Sequence, residues 1–89
     1  MPEDNLKLPG PDRRIVGMKQ TVIAVEGGLV ERVVLAKDAD DSFKRRMAAL
    51  CRRYGVPVES ASTRAALGVE CGIEVGAAVI GIKKLELTP

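Results

Sequence analysis

The sequence predicts an α/β sandwich layered around one sheet, and three observations lead there. Arg32-Val33-Val34-Leu35-Ala36 is a β-branched run of the kind that forms a buried strand. Residues 41–54 place Phe43, Met47, Leu50, Cys51 and Tyr54 on one apolar stripe at helical spacing. The remaining segments alternate between strand-like and helix-like patterns, as they do where helices pack on a sheet.

Taken in order, Met1 to Arg14 is polar and holds Pro2, Pro9, Gly10 and Pro11. A loose tail over 1–14 is expected, with at most a broken helical turn, followed by a single domain over 15–89. A short strand is expected at Arg14–Val16, ending at Gly17. Met18, Val22, Val25 and Leu29 then recur at helical spacing, and Gly27-Gly28 supplies the stop. After the 32–36 strand, an Asp or Ser within 38–42 can cap the 41–54 helix. Lys44, Arg45, Arg52 and Arg53 fall outside its stripe and read as a solvated face. Gly55 and Pro57 end that helix. Val56–Ser60 reads as a third strand. Ser62 is expected to cap a short helix through about Glu70, with Ala65, Ala66 and Val69 facing inward. Gly72–Gly76 reads as a loop and Ala77–Leu85 as the last strand.

Composition bounds the function. With 89 residues the chain suits one domain, and 46% hydrophobic with 29% charged residues suits a folded one. The net charge is +2, from 14 basic and 12 acidic residues, so any nucleic-acid site must be a local patch. Histidine is absent, which removes the usual general base near neutral pH, and no nucleophile–base pairing is visible. The sequence therefore does not read as an enzyme. Trp is absent, with one Tyr and one Phe, so recognition of bases on aromatic platforms fits poorly. The first ten residues lack the apolar core of a signal peptide. No apolar run approaches the roughly 18 residues of a membrane span. Cys51 and Cys71 lack zinc or redox spacing and read as small buried hydrophobes in a reducing cytosol. Asp38, Asp40 and Asp41 read as a helix-start cluster rather than a metal site. Gly68, Gly72 and Gly76 match neither the dinucleotide fingerprint nor the phosphate loop. No cofactor or metal is expected.

Three stretches together carry a family resemblance. They are Gly17-Met18-Lys19-Gln20-Thr21, Ala36-Lys37-Asp38-Ala39-Asp40, and the twelve residues Leu67-Gly68-Val69-Glu70-Cys71-Gly72-Ile73-Glu74-Val75-Gly76-Ala77-Ala78. The chain resembles the ribosomal protein L7Ae family over about Ile15 to Ile82, and within it the small bacterial kink-turn binders. The family's asparagine–glutamate pair falls on Lys19-Gln20, and the bacterial branch typically carries Lys-Gln there. The resemblance implies a three-layer α-β-α sandwich with a mixed four-stranded sheet. It also implies a cytoplasmic, ribosome-associated monomer that binds structured RNA: a kink-turn, a sharp bend built around adjacent sheared G·A pairs. Ribosomal RNA, a riboswitch or a leader of its own transcript all fit. The RNA-contacting residues it implies are Gly17, Met18, Lys19, Gln20, Lys37, Ile73, Glu74 and Val75.

These residue types suit that task. A regular RNA duplex hides its base edges in a deep, narrow groove, and a kink opens it. Gly17 lets backbone approach, and the helix behind it offers N–H groups and a positive dipole end. Lys19 can donate to a guanine edge or a phosphate, and Gln20 can donate and accept at once. Ile73 and Val75 can cover an unstacked base or tuck onto the core. Two departures bear on affinity: many relatives carry a lysine where this chain has Ile23 and an arginine where it has Gly27. They favour a competing reading, a protein-interaction subunit on the same fold with weakened RNA binding. The junction's usual proline is Asp41 here, which a first helical turn accepts.

Overall fold

The structure, a computed structural model, describes residues 10–72 and 76–85. Among them, strands and helices alternate as β1 (Arg14–Val16), α1 (Met18–Glu26), β2 (Val30–Leu35), α2 (Asp41–Arg53), β3 (Val58–Ser60), α3 (Arg64–Glu70) and β4 (Val79–Lys83). The strands form one sheet in the order β1-β4-β2-β3. β4 runs antiparallel to both β1 and β2, while β2 and β3 are parallel. The sheet is therefore mixed and four-stranded.

Burial explains the two central strands. Val33, Val34 and Leu35 of β2 and Val79 to Ile82 of β4 are buried without alternation, as strands covered on both faces must be. One face packs Val33, Leu35 and Val79 against Ala24 and Val25 of α1 and Met47 and Cys51 of α2. The other packs Val34, Ile80 and Ile82 against Leu67 of α3. Two helices on one face and one on the other make the three layers. Gly81 permits this closeness, because a Cβ there would lie 3.2 Å from Cγ2 of Thr21. Thr21 is itself fully buried, and its hydroxyl donates to the Ile15 carbonyl at 3.4 Å.

The helical turn allowed for at the end of the N-terminal stretch forms over Pro11–Arg13. The Arg13 guanidinium ties it to the sheet, donating to the Lys83 carbonyl at 2.9 and 3.2 Å and pairing with Glu31 at 3.1 Å. The expected β1 is found at Arg14–Val16. β2 starts two residues earlier than expected, with an irregular register against β4 between Val30 and Arg32. β3 starts at Val58, because the Val56 amide donates to the Cys51 carbonyl at 2.8 Å and finishes the turn of α2. β4 is shorter than the Ala77–Leu85 strand expected.

Two helical assignments need correction. Met18 and Leu29 do not belong to the inward stripe of α1; they are 43% and 42% exposed. The buried side chains are Thr21, Ala24 and Val25. Leu29 lies beyond the Gly27 cap, and Thr21 takes an inward position because its hydroxyl finds an acceptor. On α3 the cap is Thr63, whose Oγ1 accepts from the Ala66 amide at 3.1 Å, and not Ser62. Ser62 adopts a φ of 64° and offers its carbonyl to the Lys37 amide at 2.8 Å. The inward residues of α3 are Leu67 and Gly68, with Ala66 half-buried, whereas Ala65 and Val69 are exposed. The apolar stripe of α2 is as expected at Met47 and Cys51, with Phe43 and Leu50 half-buried; Tyr54 sits at its exposed end under the Arg53 guanidinium.

Candidate nucleic-acid interface

β1 and β2 end, and β4 begins, at the same edge of the sheet, where Val16 pairs with Ile80 and Leu35 with Val79. Two bonds close this edge. The Gly17 amide donates to the Val79 carbonyl at 3.2 Å, and the Ala36 amide to the Ala78 carbonyl at 2.9 Å. The topology therefore places side by side the start of α1, the 36–40 junction and the segment that enters β4. These are two of the stretches singled out in the sequence and the last residues of the third, and Gly17, Met18, Lys19, Gln20 and Lys37 share one end of the molecule.

Gly17 is the N-cap residue of α1, with φ 100° and ψ 154°. That conformation is open to glycine and strained for other residues. A Cβ there would meet nothing within 4 Å, so the backbone angle, rather than crowding within the protein, is what calls for glycine. The first helical bond runs from the Thr21 amide to the Gly17 carbonyl at 3.1 Å. No side chain caps this end. An uncapped helix start leaves amide N–H groups for water or a ligand, with the positive end of the dipole behind them. Met18, Lys19 and Gln20 are all exposed around it.

α2 adds charge to this end. The Lys44 ammonium donates to the Lys37 carbonyl at 2.9 Å and lies 3.6 Å from the Asp41 carboxylate. A guanidinium nitrogen of Arg46 lies 3.9 Å from the Met18 sulfur. Sequence reasoning placed Lys44 on a solvated face and passed over Arg46. Helical periodicity separates inside from outside, but it does not say which neighbour an outward cation meets.

The three aspartates take separate tasks. Asp38 accepts from the Arg64 amide at 2.8 Å. Asp40 caps α2, its Oδ2 accepting from the Ser42 and Phe43 amides at 3.1 and 3.3 Å. Hydrogen bonds from the Ser42 hydroxyl and then the Phe43 amide hold the Asp40 carboxyl below its ordinary pKa. Asp41 faces Lys44.

The Arg64 carbonyl accepts from the Ala77 amide at 3.0 Å, so α3 is tied to the chain entering β4. Ile73, Glu74 and Val75, the remaining residues of the implied contact set, lie outside the described residues. Gly72 and Gly76 are both exposed, and Gly76 lies against Arg64 at the start of α3.

The two departures sit along α1. Ile23 is 56% exposed, one turn from Lys19 and Gln20. Gly27 is the C-cap, with φ −85° and ψ 0°.

The chain is similar in sequence and in fold to known proteins. A protein of Bacillus pumilus called RNA-binding protein is 41% identical over 68 residues, 76% of this chain and 83% of the relative. An RNA-binding protein of Caldanaerobacter subterraneus is 40% identical over the same share of each. Among solved structures, a protein of unknown function from Bacillus halodurans superposes with a TM-score of 0.77 at 32% identity, covering 85% of this chain and 76% of that one. A Giardia lamblia 15.5kD RNA binding protein gives 0.75 at 28% identity, covering 84% and 63%. Residues 5–87 match the family described as ribosomal protein L7Ae/L30e/S12e/Gadd45, and the chain belongs to that family.

Proposed function

We propose that this protein binds structured RNA, and specifically a kink-turn, through the end of the sheet where α1 begins. The observation that carries the reading is the exposed, uncapped start of α1, with Lys19 and Gln20 beside the Lys37 junction. The amides and dipole suit a phosphate, and Lys19 and Gln20 suit base edges in a groove that a bend has opened. Family membership and the names of the bacterial relatives support RNA as the ligand class.

In this reading Gly17 sets the approach of the backbone, Met18 packs beside the RNA, and Lys37 supplies a cation from the junction. Ile73, Glu74 and Val75 contact the other side of the bend. The chain acts as a non-enzymatic, cytoplasmic monomer, one RNA-binding domain over 15–89 working on or near the ribosome. Ribosomal RNA and a riboswitch both present the required motif. Among the described residues, no helix is long and apolar enough to cross a membrane.

The exposed Ile23 favours the second reading, in which this face of α1 meets a protein and RNA affinity is reduced. A gel-shift separates the two. A model kink-turn RNA is bound more tightly than the same RNA without its G·A pairs; equal binding of both, or of neither, removes kink-turn recognition.

A further inference from the structure

The outward face of α2 is a ridge of arginines. Arg45, Arg46, Arg52 and Arg53 are all exposed, with only Ala49 between the two pairs on that face. At the rise of an α-helix, the pairs stand about 10 Å apart. Among the described residues, none of the four forms an ion pair. The acids of this helix gather at its amino end, Asp40 as cap and Asp41 beside Lys44, and only Arg45 feels the Asp40 carboxylate.

Helix stability accounts for only part of this pattern. Arg52 and Arg53 lie in the last turn, where cations suit the dipole. Arg45 and Arg46 lie in the amino-terminal half, where they gain nothing from it. Exposed side chains packed against no acid also add little to folding. A chain with net charge +2 that places four cations, none of them in an ion pair among the described residues, on one helical face has built a local field for a polyanion. The ridge is continuous with the proposed interface, because Arg46 reaches Met18 at the start of α1. From there it runs toward the opposite end of the sheet. A nucleic-acid duplex carries one charge about every 1.7 Å of its axis, so a track of this length faces several phosphates.

We infer that the arginine ridge of α2 is a second RNA-contacting surface, a sequence-independent track for the backbone of the duplex beside the bend. The inference rests on the proposed RNA-binding reading, but it makes a separate demand: the ridge binds phosphates whether or not a kink is present.

The test uses the full chain with two RNAs, a kink-turn with a long flanking stem and a straight duplex of mixed sequence, and with phosphatidylserine vesicles as a second polyanionic surface. The variants are Arg52→Gln with Arg53→Gln, and Arg46→Gln alone; glutamine keeps helix propensity while removing charge. Thermal melting confirms the fold. On both RNAs the slope of log K against log salt becomes shallower by up to about 0.9 per lost contact. Arg52→Lys with Arg53→Lys restores it. Lys19→Ala with Gln20→Ala weakens the kink-turn RNA more than the straight duplex. If wild type shows no preference for the kink-turn yet the arginine variants weaken both RNAs, the ridge stands and the kink-turn reading fails. If the arginine variants match wild type in affinity and slope on both RNAs, the ridge is not an RNA surface. Failure of wild type to bind the straight duplex at low salt also overturns the inference. So does a response to the arginines confined to phosphatidylserine vesicles.

Discussion

A carboxylate oxygen of Asp38 accepts a hydrogen bond from the backbone amide of Arg64 at 2.8 Å, across 26 residues of sequence. The Arg64 carbonyl in turn accepts from Ala77 at 3.0 Å. The two bonds join the junction after β2, the start of α3 and the chain entering β4. Asp38 thus serves as an acceptor for the first turn of a helix to which it does not belong. Asp38→Ala leaves that amide without its partner and costs about 1 kcal/mol, the usual scale for losing a helix-start acceptor. Asp38→Asn keeps an acceptor oxygen and loses less. Urea unfolding of the two variants checks the order, and a larger loss for asparagine contradicts the assignment.

The start of α3 offers a second check. Thr63→Ala removes the hydroxyl that accepts from Ala66 and lowers stability by about 1 kcal/mol. Ser62→Ala keeps the same positive φ and loses less than about 0.5 kcal/mol, because a hydroxyl that caps nothing contributes little there. If Ser62→Ala is the costlier change, Ser62 is the working cap after all.

Lys19→Ala and Gln20→Ala each weaken kink-turn RNA binding by roughly 1–3 kcal/mol, the range for a base-edge contact. Both residues are exposed, so melting temperatures stay at the wild-type value. Wild-type affinity in both variants removes them from the site.

Ile23→Lys and Gly27→Arg add the cations that the family resemblance implies on α1 and at its C-cap. The structure accepts both. Ile23 is 56% exposed, and Gly27 has a helical φ of −85° with no atom closer than 3.4 Å to a new Cβ. Losing this glycine stabilises the chain by up to about 1 kcal/mol through the unfolded state. Each new cation steepens the salt dependence of RNA binding by up to about 0.9 in slope. An unchanged slope in the folded variants means that this face of α1 does not meet RNA.

Burial pushes the Cys51 and Cys71 thiols above their ordinary pKa, with Arg14 partly opposing the shift at Cys71. A raised thiol pKa favours folding below the unfolded value. That contribution is lost as pH rises past about 8.5, where an unfolded thiol begins to ionise, and on through the folded pKa. Stability therefore declines on the alkaline side, and Cys51→Ala flattens the decline while costing core packing. Titration with a thiol reagent finds both thiols in urea, whereas Cys51 in the native protein, with no exposed surface, stays unreactive. Rapid native labelling of Cys51 contradicts this account.

Signals that act between near neighbours were legible in the sequence by itself. The β-branched runs of β2 and β4, the glycines after α1 and α2, and the stripe of Met47 and Cys51 determined the order of elements, because each works through residues within a turn or a strand. The Gly17–Gln20 stretch could be singled out before its surroundings were known, through the family resemblance. Tertiary structure alone decided what those elements meet. The phase of α1 turns on Thr21 lying against Gly81, sixty residues away, and not on its own apolar spacing. The cap of α3 moved to Thr63 while the carbonyl of Ser62 went to Lys37. Asp38 looked like a local helix-start acid and bonds instead across the fold to Arg64. Arg46 drew no reading of its own from the sequence, and helix packing set it beside Met18. In each case the deciding partner is distant in sequence, and only the closing of the sheet and its layers brings the two together.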